Sequence, residues 1–251
     1  MSSADAILVF LGGVGAGTIN VIVGSGTLIT FPVLLAVGYP PVVANVSNTI
    51  GLVPGSVAGA IGYRRELEGQ ASRTARLLVA SVAGGVVGAV LLLALPAAAF
   101  RAIVPAFIVV ALVLVVAQPR ISRALAARGR GPVEIGGAGT LAGLFLCGVY
   151  GGYFGAAQGI VILAILGFLM HDSLQHANAI KNVLAGATNL VAGIVFAAVA
   201  PVDWYVAFVL ACGSILGGMM GARIGRRLPP PALRGLIVVV GVVATVKLVV
   251  V

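Results

Sequence analysis

Apolar residues in this chain come in long unbroken runs, with no alternation and no single polar face. The runs cover about 5–23, 27–38, 42–62, 75–95 and 98–118, then 136–156, 160–170, 177–200, 203–222 and 233–251. Segments apolar all round predict helices surrounded by lipid or by other helices. A β-barrel is excluded, because its strands alternate polar and apolar positions. A full helical crossing takes about 20 residues. The runs 27–38 and 160–170 are short of that, and each follows a Gly-rich break, Gly24-Ser25-Gly26 in the first half and Gln158-Gly159 in the second.

Composition sharpens this picture. Of 251 residues, 61% are hydrophobic and 8% charged, against about 25% charged in a soluble domain. So few charges cannot cover a soluble surface of this size, and an ordinary soluble enzyme, a disordered chain and a nucleic-acid-binding domain are excluded. The net charge of +9 then reads as Lys and Arg collected in cytoplasmic loops. The start, MSSADAILVF, lacks a basic stretch, so the first span is expected to be retained. Cys147 and Cys212 both fall in apolar runs, and no metal-ligand spacing accompanies them.

The two halves align without a gap at an offset of 133 residues. Gly15 falls on Gly148, Gly26 on Gly159, Ala44-Asn45 on Ala177-Asn178, and Gly84-Gly85-x-x-Gly88-Ala89 on Gly217-Gly218-x-x-Gly221-Ala222. Pro96 and Arg101 fall on Pro229 and Arg234. The loop 63–76 holds four arginines and its mate near 196–203 holds none. The connection near 95–98 holds none and its mate, 222–234, holds four. Basic charge therefore swaps between equivalent loops, which predicts halves of opposite orientation. The expected fold is an all-α integral membrane protein of two inverted repeats. Each repeat has about five helical elements, giving about eight full spans plus short broken or re-entrant helices. Residues 1–118 form the first repeat, 119–134 a basic cytoplasmic linker and 135–251 the second repeat. The expected location is the cell (inner) membrane.

Inverted repeats with broken helices are a transporter pattern, with the site expected near the midplane where the breaks meet. Asn20, Gly24, Ser25, Gly26, Asn45 and Asn48 gather at the first break, with Thr27 and Ser47 beside them. Gln158, Gly159, Asn178, Lys181 and Asn182 gather at the second. They read either as a cavity of neutral donors with helix-start amides facing an anion, or as small and amide residues gluing helices together. Lys181 aligns with Asn48 and lies about two turns inside a helix starting near Leu174. It reads as an anion ligand or as a lysine snorkelling to the near surface. His171, Asp172 and His176 cluster at a turn, as a gate, a proton relay or a solvated loop. Every carboxylate (Asp5, Glu66, Glu68, Glu134, Asp172, Asp203) falls at a segment end or in a loop. That argues against a carboxylate proton relay and against cation transport. No catalytic set, metal site or cofactor motif is expected.

At these residues the sequence resembles the sulfite exporter TauE/SafE family of membrane permeases, over nearly the whole chain. The cues are the two breaks, Pro32 in the first short helix, Gly38-Tyr39-Pro40-Pro41, and the Ala44-Asn45 and Ala177-Asn178 turns. Most specific is Val202-Asp203-Trp204 leading into Gly217-Gly218-Met219-Met220-Gly221-Ala222-Arg223. The family often has Gly-Gly-Gly at the breaks and Thr-Ser after the alanine. Here Ser25, Gln158, Asn45 and Asn178 stand instead, where substrate is expected. The resemblance implies transport, commonly export, of small sulfur-containing or organic anions, without fixing the substrate. An anion channel, or a membrane enzyme or flippase acting on a lipid-linked phosphate, are the other readings. The expected partners are a small anion and the bilayer, with no nucleic acid. A homodimer could pack through the Gly-Gly-x-x-Gly faces.

Overall fold

A computed structural model describes residues 1–127, 137–169 and 174–224, with Val239. The described residues form nine α-helices and no strand: α1 Ser3–Ile22, α2 Thr27–Ala36, α3 Pro41–Gly62, α4 Ala71–Ala94, α5 Ala97–Ala127, α6 Ala138–Tyr153, α7 Gln158–Leu169, α8 Leu174–Val199 and α9 Trp204–Ile224. A single 3₁₀ turn, Arg64–Leu67, links α3 to α4. The expected all-α membrane fold is what these helices make. Five of them, α1, α4, α5, α8 and α9, contain stretches long and apolar enough to cross a bilayer. At 22 residues α3 also has the length, about 33 Å, but it carries Asn45, Ser47, Asn48, Thr49 and Ser56, all buried.

Local chemistry sets the ends. Ser2 and Asp5 form a reciprocal capping box at the start of α1. Pro41 opens α3 as its first residue, where its missing N–H has no helical partner to lose. The Asp203 carboxylate accepts the Val206 amide at 3.0 Å and so starts α9. The polar stretch 119–134 differs from expectation. Helix α5 runs on to Ala127, through Ile121 and the alanines that follow, which are good helix formers. Arg123 Nε donates to the Pro119 carbonyl at 3.3 Å. The linker's remaining residues, 128–134, and the run 233–251 apart from Val239 lie outside the described residues.

Helix directions follow from glycine contacts. Gly13 faces Leu210 and Gly213, Gly17 faces Ser214 and Gly218, and Gly221 faces Thr18 and Val21, so α1 and α9 are parallel. Gly51 on Leu210, Gly55 on Ser214 and Gly62 on Ala222 make α3 parallel to α9 too. In the other half, Gly84 faces Phe145 and Gly88 faces Val149 and Tyr153, so α4 and α6 are parallel. Gly85 on Thr188 and Val191, with Ser81 on Thr188, sets α8 alongside α4 in the same sense. By contrast, Gly186 lies on Ser56, and Gly193 on Ile50 and Val53. The repeat mates α3 and α8 therefore run antiparallel, and the two halves are inverted.

The repeat is not gapless throughout. Structural mates in α3/α8 and α4/α9 keep the 133-residue offset, as in Ser81 with Ser214. In α1/α6 the offset is 131: Gly17 meets the Ser214 carbonyl as Gly148 meets that of Ser81. The left-handed residues Gly24 (φ 84°) and Gly155 (φ 75°) are mates by the same offset. Helix α7 is two residues longer than α2, 12 against 10, and this restores the register.

Candidate functional site

The site lies where the two interrupted segments cross. In the first, α1 ends at Ile22 and α2 begins at Thr27, so Gly24, Ser25 and Gly26 form the break as expected. The second break falls earlier than Gln158-Gly159. It comprises Phe154–Ala157, and both Gln158 and Gly159 belong to the first turn of α7. Gly155 and Ala157 take positive φ there. A non-Gly residue in that region is uncommon, and Ala157 is fully buried. Gly159 is required for a different reason from turn geometry. A Cβ on it would overlap the Gly24 backbone, and its own amide donates to the Gly24 carbonyl at 3.1 Å. The two breaks are thus joined by a backbone hydrogen bond.

Each half also clamps the broken helix end of the other. Asn45 Nδ2 of α3 donates to the Tyr153 carbonyl, the last residue of α6, at 3.0 Å. Asn178 Nδ2 of α8, its repeat mate, donates to the Val21 carbonyl near the end of α1 at 3.3 Å. Carbonyls at a helix C-terminus lack intrahelical partners and carry partial negative charge. Lys181 Nζ adds to the clamp on α1, donating to Asn20 O at 3.1 Å and Val21 O at 3.0 Å. Its side chain is 0% exposed, and it is the only charged residue buried among those described. It does not snorkel. Its stem runs along Gly159, where a Cβ would press on Lys181 Cδ.

The remaining polar residues divide between the breaks. Asn20 Nδ2 donates to Ser56 Oγ at 3.2 Å, and its Oδ1 lies 3.5 Å from the Gly26 amide. Asn48 accepts from Thr30 Oγ1 and donates to Thr27 Oγ1 at 3.4 Å, fixing the start of α2. Gln158 turns away from the crossing. Its amide packs on Gly151 and donates to the Cys147 carbonyl at 3.4 Å. Helix-start amides are also engaged, Leu28 with Ser25 O, Ile29 with Gly26 O and Ile160 with Ala157 O.

Five buried side-chain atoms here have no hydrogen-bond partner among the described residues: Ser25 Oγ, Tyr153 OH, Asn182 Nδ2, Asn45 Oδ1 and Asn178 Oδ1. Leaving such an atom unpaired costs about 1–3 kcal/mol, so each calls for an explanation. Two are hydroxyls and one is an amide N–H₂, all able to donate. Beside the second break, Phe31, Phe100, Phe107, Tyr153 and Phe154 pack in edge-on, tilted and stacked pairs, with ring centres 5.1–6.4 Å apart.

His176 is half-buried in the first turn of α8, while His171 and Asp172 lie outside the described residues. Ser56, Thr30 and Tyr153 were not singled out from sequence. Ser56 had a legible signal, since Asn48, Leu52 and Ser56 recur every four residues on one face of α3. Tyr153 had none, because its place depends on where α6 breaks.

Comparison with known proteins fits this architecture. The profile of the family described as Sulfite exporter TauE/SafE matches residues 9–248. A "Probable membrane transporter protein" of Haemophilus influenzae is 26% identical over 246 residues, covering 96% of this chain and 93% of that one. The "Probable membrane transporter protein YfcA" of Escherichia coli K12 is 27% identical over 238 residues, covering 93% and 85%. "Probable membrane transporter protein ORF9" of a Sinorhizobium species is 28% identical over 236 residues, covering 93% and 88%. No solved structure matches. With a family match over almost its full length, and broken inverted repeats crossing at a polar centre, this chain belongs to the sulfite exporter TauE/SafE family of multi-pass membrane transport proteins.

Proposed function

We propose that the protein exports a small anion, sulfite or an organosulfonate, bound at the crossing of the two breaks. The observation that carries this reading is Lys181, a fully buried lysine beside both breaks. The carboxylates among the described residues lie at helix ends or in the α3–α4 turn. A buried charge needs a partner. Two carbonyls take two of the three ammonium protons, and an anion completes the set. Ser25, Tyr153 and Asn182 then supply neutral donors in place of water. Asn45 and Asn178 hold the two helix ends, and Gly24 and Gly159 hold the breaks together.

The loop 63–76, rich in arginine, faces the cytoplasm of the inner membrane in this reading, by the positive-inside rule. Moving one charge through 100 mV is worth about 2.3 kcal/mol. A dianion leaving an inside-negative cell gains about twice that, a gradient of roughly three decades. No coupling carboxylate is needed.

The test is sulfite flux through proteoliposomes of the purified protein, with and without an imposed potential, with sulfonates and carboxylates as competitors. Saturable flux that follows the potential supports the reading. Absence of flux for sulfite and for every competitor overturns it, and a unitary conductance replaces the carrier with a channel.

A further inference from the structure

A second, separate feature lies on the outside of the bundle. Between α3 and α9 runs a cleft of about 1120 Å³, open to the surroundings. Its walls are apolar and exposed: Val57, Ile61, Ile215 and Met219 are 37–56% accessible. Its floor is thin, because Gly62 of α3 sits against Ala222 of α9, where a Cβ would overlap. At the end where both helices finish, the mouth carries Arg64, Arg65 and Arg223, all exposed, together with Glu66.

The repeat provides an internal control. At the 133-residue offset the equivalents of Arg64 and Arg65 are Ala197 and Ala198 on α8, and that of Arg223 is Val90 on α4. These mates carry no cation. The positive-inside rule explains why arginines gather at this end of α3 and α9 and not at the mates. What the structure adds is the juxtaposition: three guanidinium groups stand at the mouth of an apolar cleft of about 1120 Å³.

We propose that this cleft is a binding site for an anionic phospholipid, its acyl chains lying along Val57, Ile61 and Met219 and its headgroup phosphate held by Arg64, Arg65 and Arg223. Basic pockets between membrane helices bind acidic headgroups, and guanidinium forks suit phosphate oxygens. Three cations against one carboxylate leave the mouth net positive. The site is independent of the anion crossing, so either can fail without the other.

The experiment is thermal unfolding of the detergent-purified full chain with added phosphatidylglycerol, phosphatidylethanolamine or phosphatidylcholine, alongside native mass spectrometry of retained lipid. Phosphatidylglycerol is expected to raise the midpoint and to be retained selectively. R64Q/R65Q/R223Q should weaken that binding by about two orders of magnitude, at roughly fivefold per arginine. I61W, which fills the cleft but keeps the charge, should also abolish retention. If the triple variant does not fold, the single variants R64Q and R223Q should each show the fivefold loss. Equal retention of all three lipids overturns the proposal, as does unchanged phosphatidylglycerol binding in the arginine variants. Stabilisation by inorganic phosphate alone to the same extent overturns the lipid in favour of a free anion. A change of oligomeric state in I61W with lipid retention unaltered overturns it in favour of a second copy of the chain.

Discussion

Replacing Lys181 by Met separates two roles that the structure superimposes. The ammonium holds Asn20 O and Val21 O at 3.1 and 3.0 Å, and hydrogen bonds from a charged donor are worth about 1.5–3 kcal/mol each. Against that stands the desolvation of a fully buried cation, several kcal/mol. The unbranched apolar stem of Met fits the channel that the lysine stem already occupies along Gly159. Val21 O keeps the Asn178 amide at 3.3 Å, so only Asn20 O loses its side-chain donor. The opposing terms leave K181M within about 2 kcal/mol of wild-type stability.

Anion affinity responds differently. A unit anion about 4 Å from the ammonium interacts by about 4 kcal/mol at an effective dielectric of 20, which is nearly three orders of magnitude in affinity. The half-saturation of sulfite flux in proteoliposomes should therefore rise by two to three decades in K181M, with its melting curve little changed. K181R keeps the charge but not the reach of a point cation, and should fall between the two. Wild-type half-saturation in K181M would refute the counter-charge argument. A variant that fails to fold, while K181R folds normally, would show that the lysine acts only as a strut on α1.

Gly159→Ala should cost about 1–3 kcal/mol by overpacking and abolish flux, since its Cβ would overlap Gly24. Gly38→Ala, at positive φ (100°) but facing open space, should cost about 1–2 kcal/mol with flux intact, as melting and transport on the same preparations will show. Asn45→Ala frees the Tyr153 carbonyl, at about 1–3 kcal/mol, whereas Asn178→Ala should cost less, because Val21 O keeps Lys181 Nζ at 3.0 Å. The double variant should lose more than the sum in transport rate, because both clamps hold one crossing. Burial first, and the hydrogen bond to Asp203 second, push the Tyr39 phenol up to about 12. The stabilising contact is complete below the unfolded value near 10 and is lost as pH rises through about 12. Melting midpoints of the wild type should fall across that window more steeply than those of Tyr39→Phe.

Much of this was legible in the sequence because membrane helices satisfy their backbone internally, so apolar run length maps onto elements almost directly. The swap of arginines between loops 63–76 and 222–234 carried the inversion, which the antiparallel α3 and α8 now show as geometry. The break at 154–157 was not legible at its true place. Gly159 looked like a turn glycine, yet it is helical and small because Gly24 lies against it. Ala157, the residue that takes positive φ, has no compositional mark. Gln158 looked like a ligand beside the break, but a first-turn position in α7 points its amide back at α6. The two-residue growth of α7 is likewise invisible to a gapless alignment, because its residues are as apolar as those of α2.

Symmetry explains why the site has this composition. In two inverted halves meeting at one point, each broken helix end takes a side-chain donor from the opposite half. Asn45 and Asn178 do this as a matched pair of amides. Were the pairing complete, Asn48 would have another Asn as its mate. Instead position 181 is Lys, reaching the end of α1, while Asn48 stays with Thr27 and Thr30 at the start of α2. One end of the crossing is thus held by charge and the other by neutral amides and hydroxyls. A charged donor is worth roughly twice a neutral one, so the two ends release with unequal ease. In a carrier whose halves exchange conformations, that inequality favours one state over its inverse. In the proposed reading, an anion on the third ammonium proton weakens the hold on Asn20 O and Val21 O and narrows that difference, which would couple occupancy of the site to the change of state.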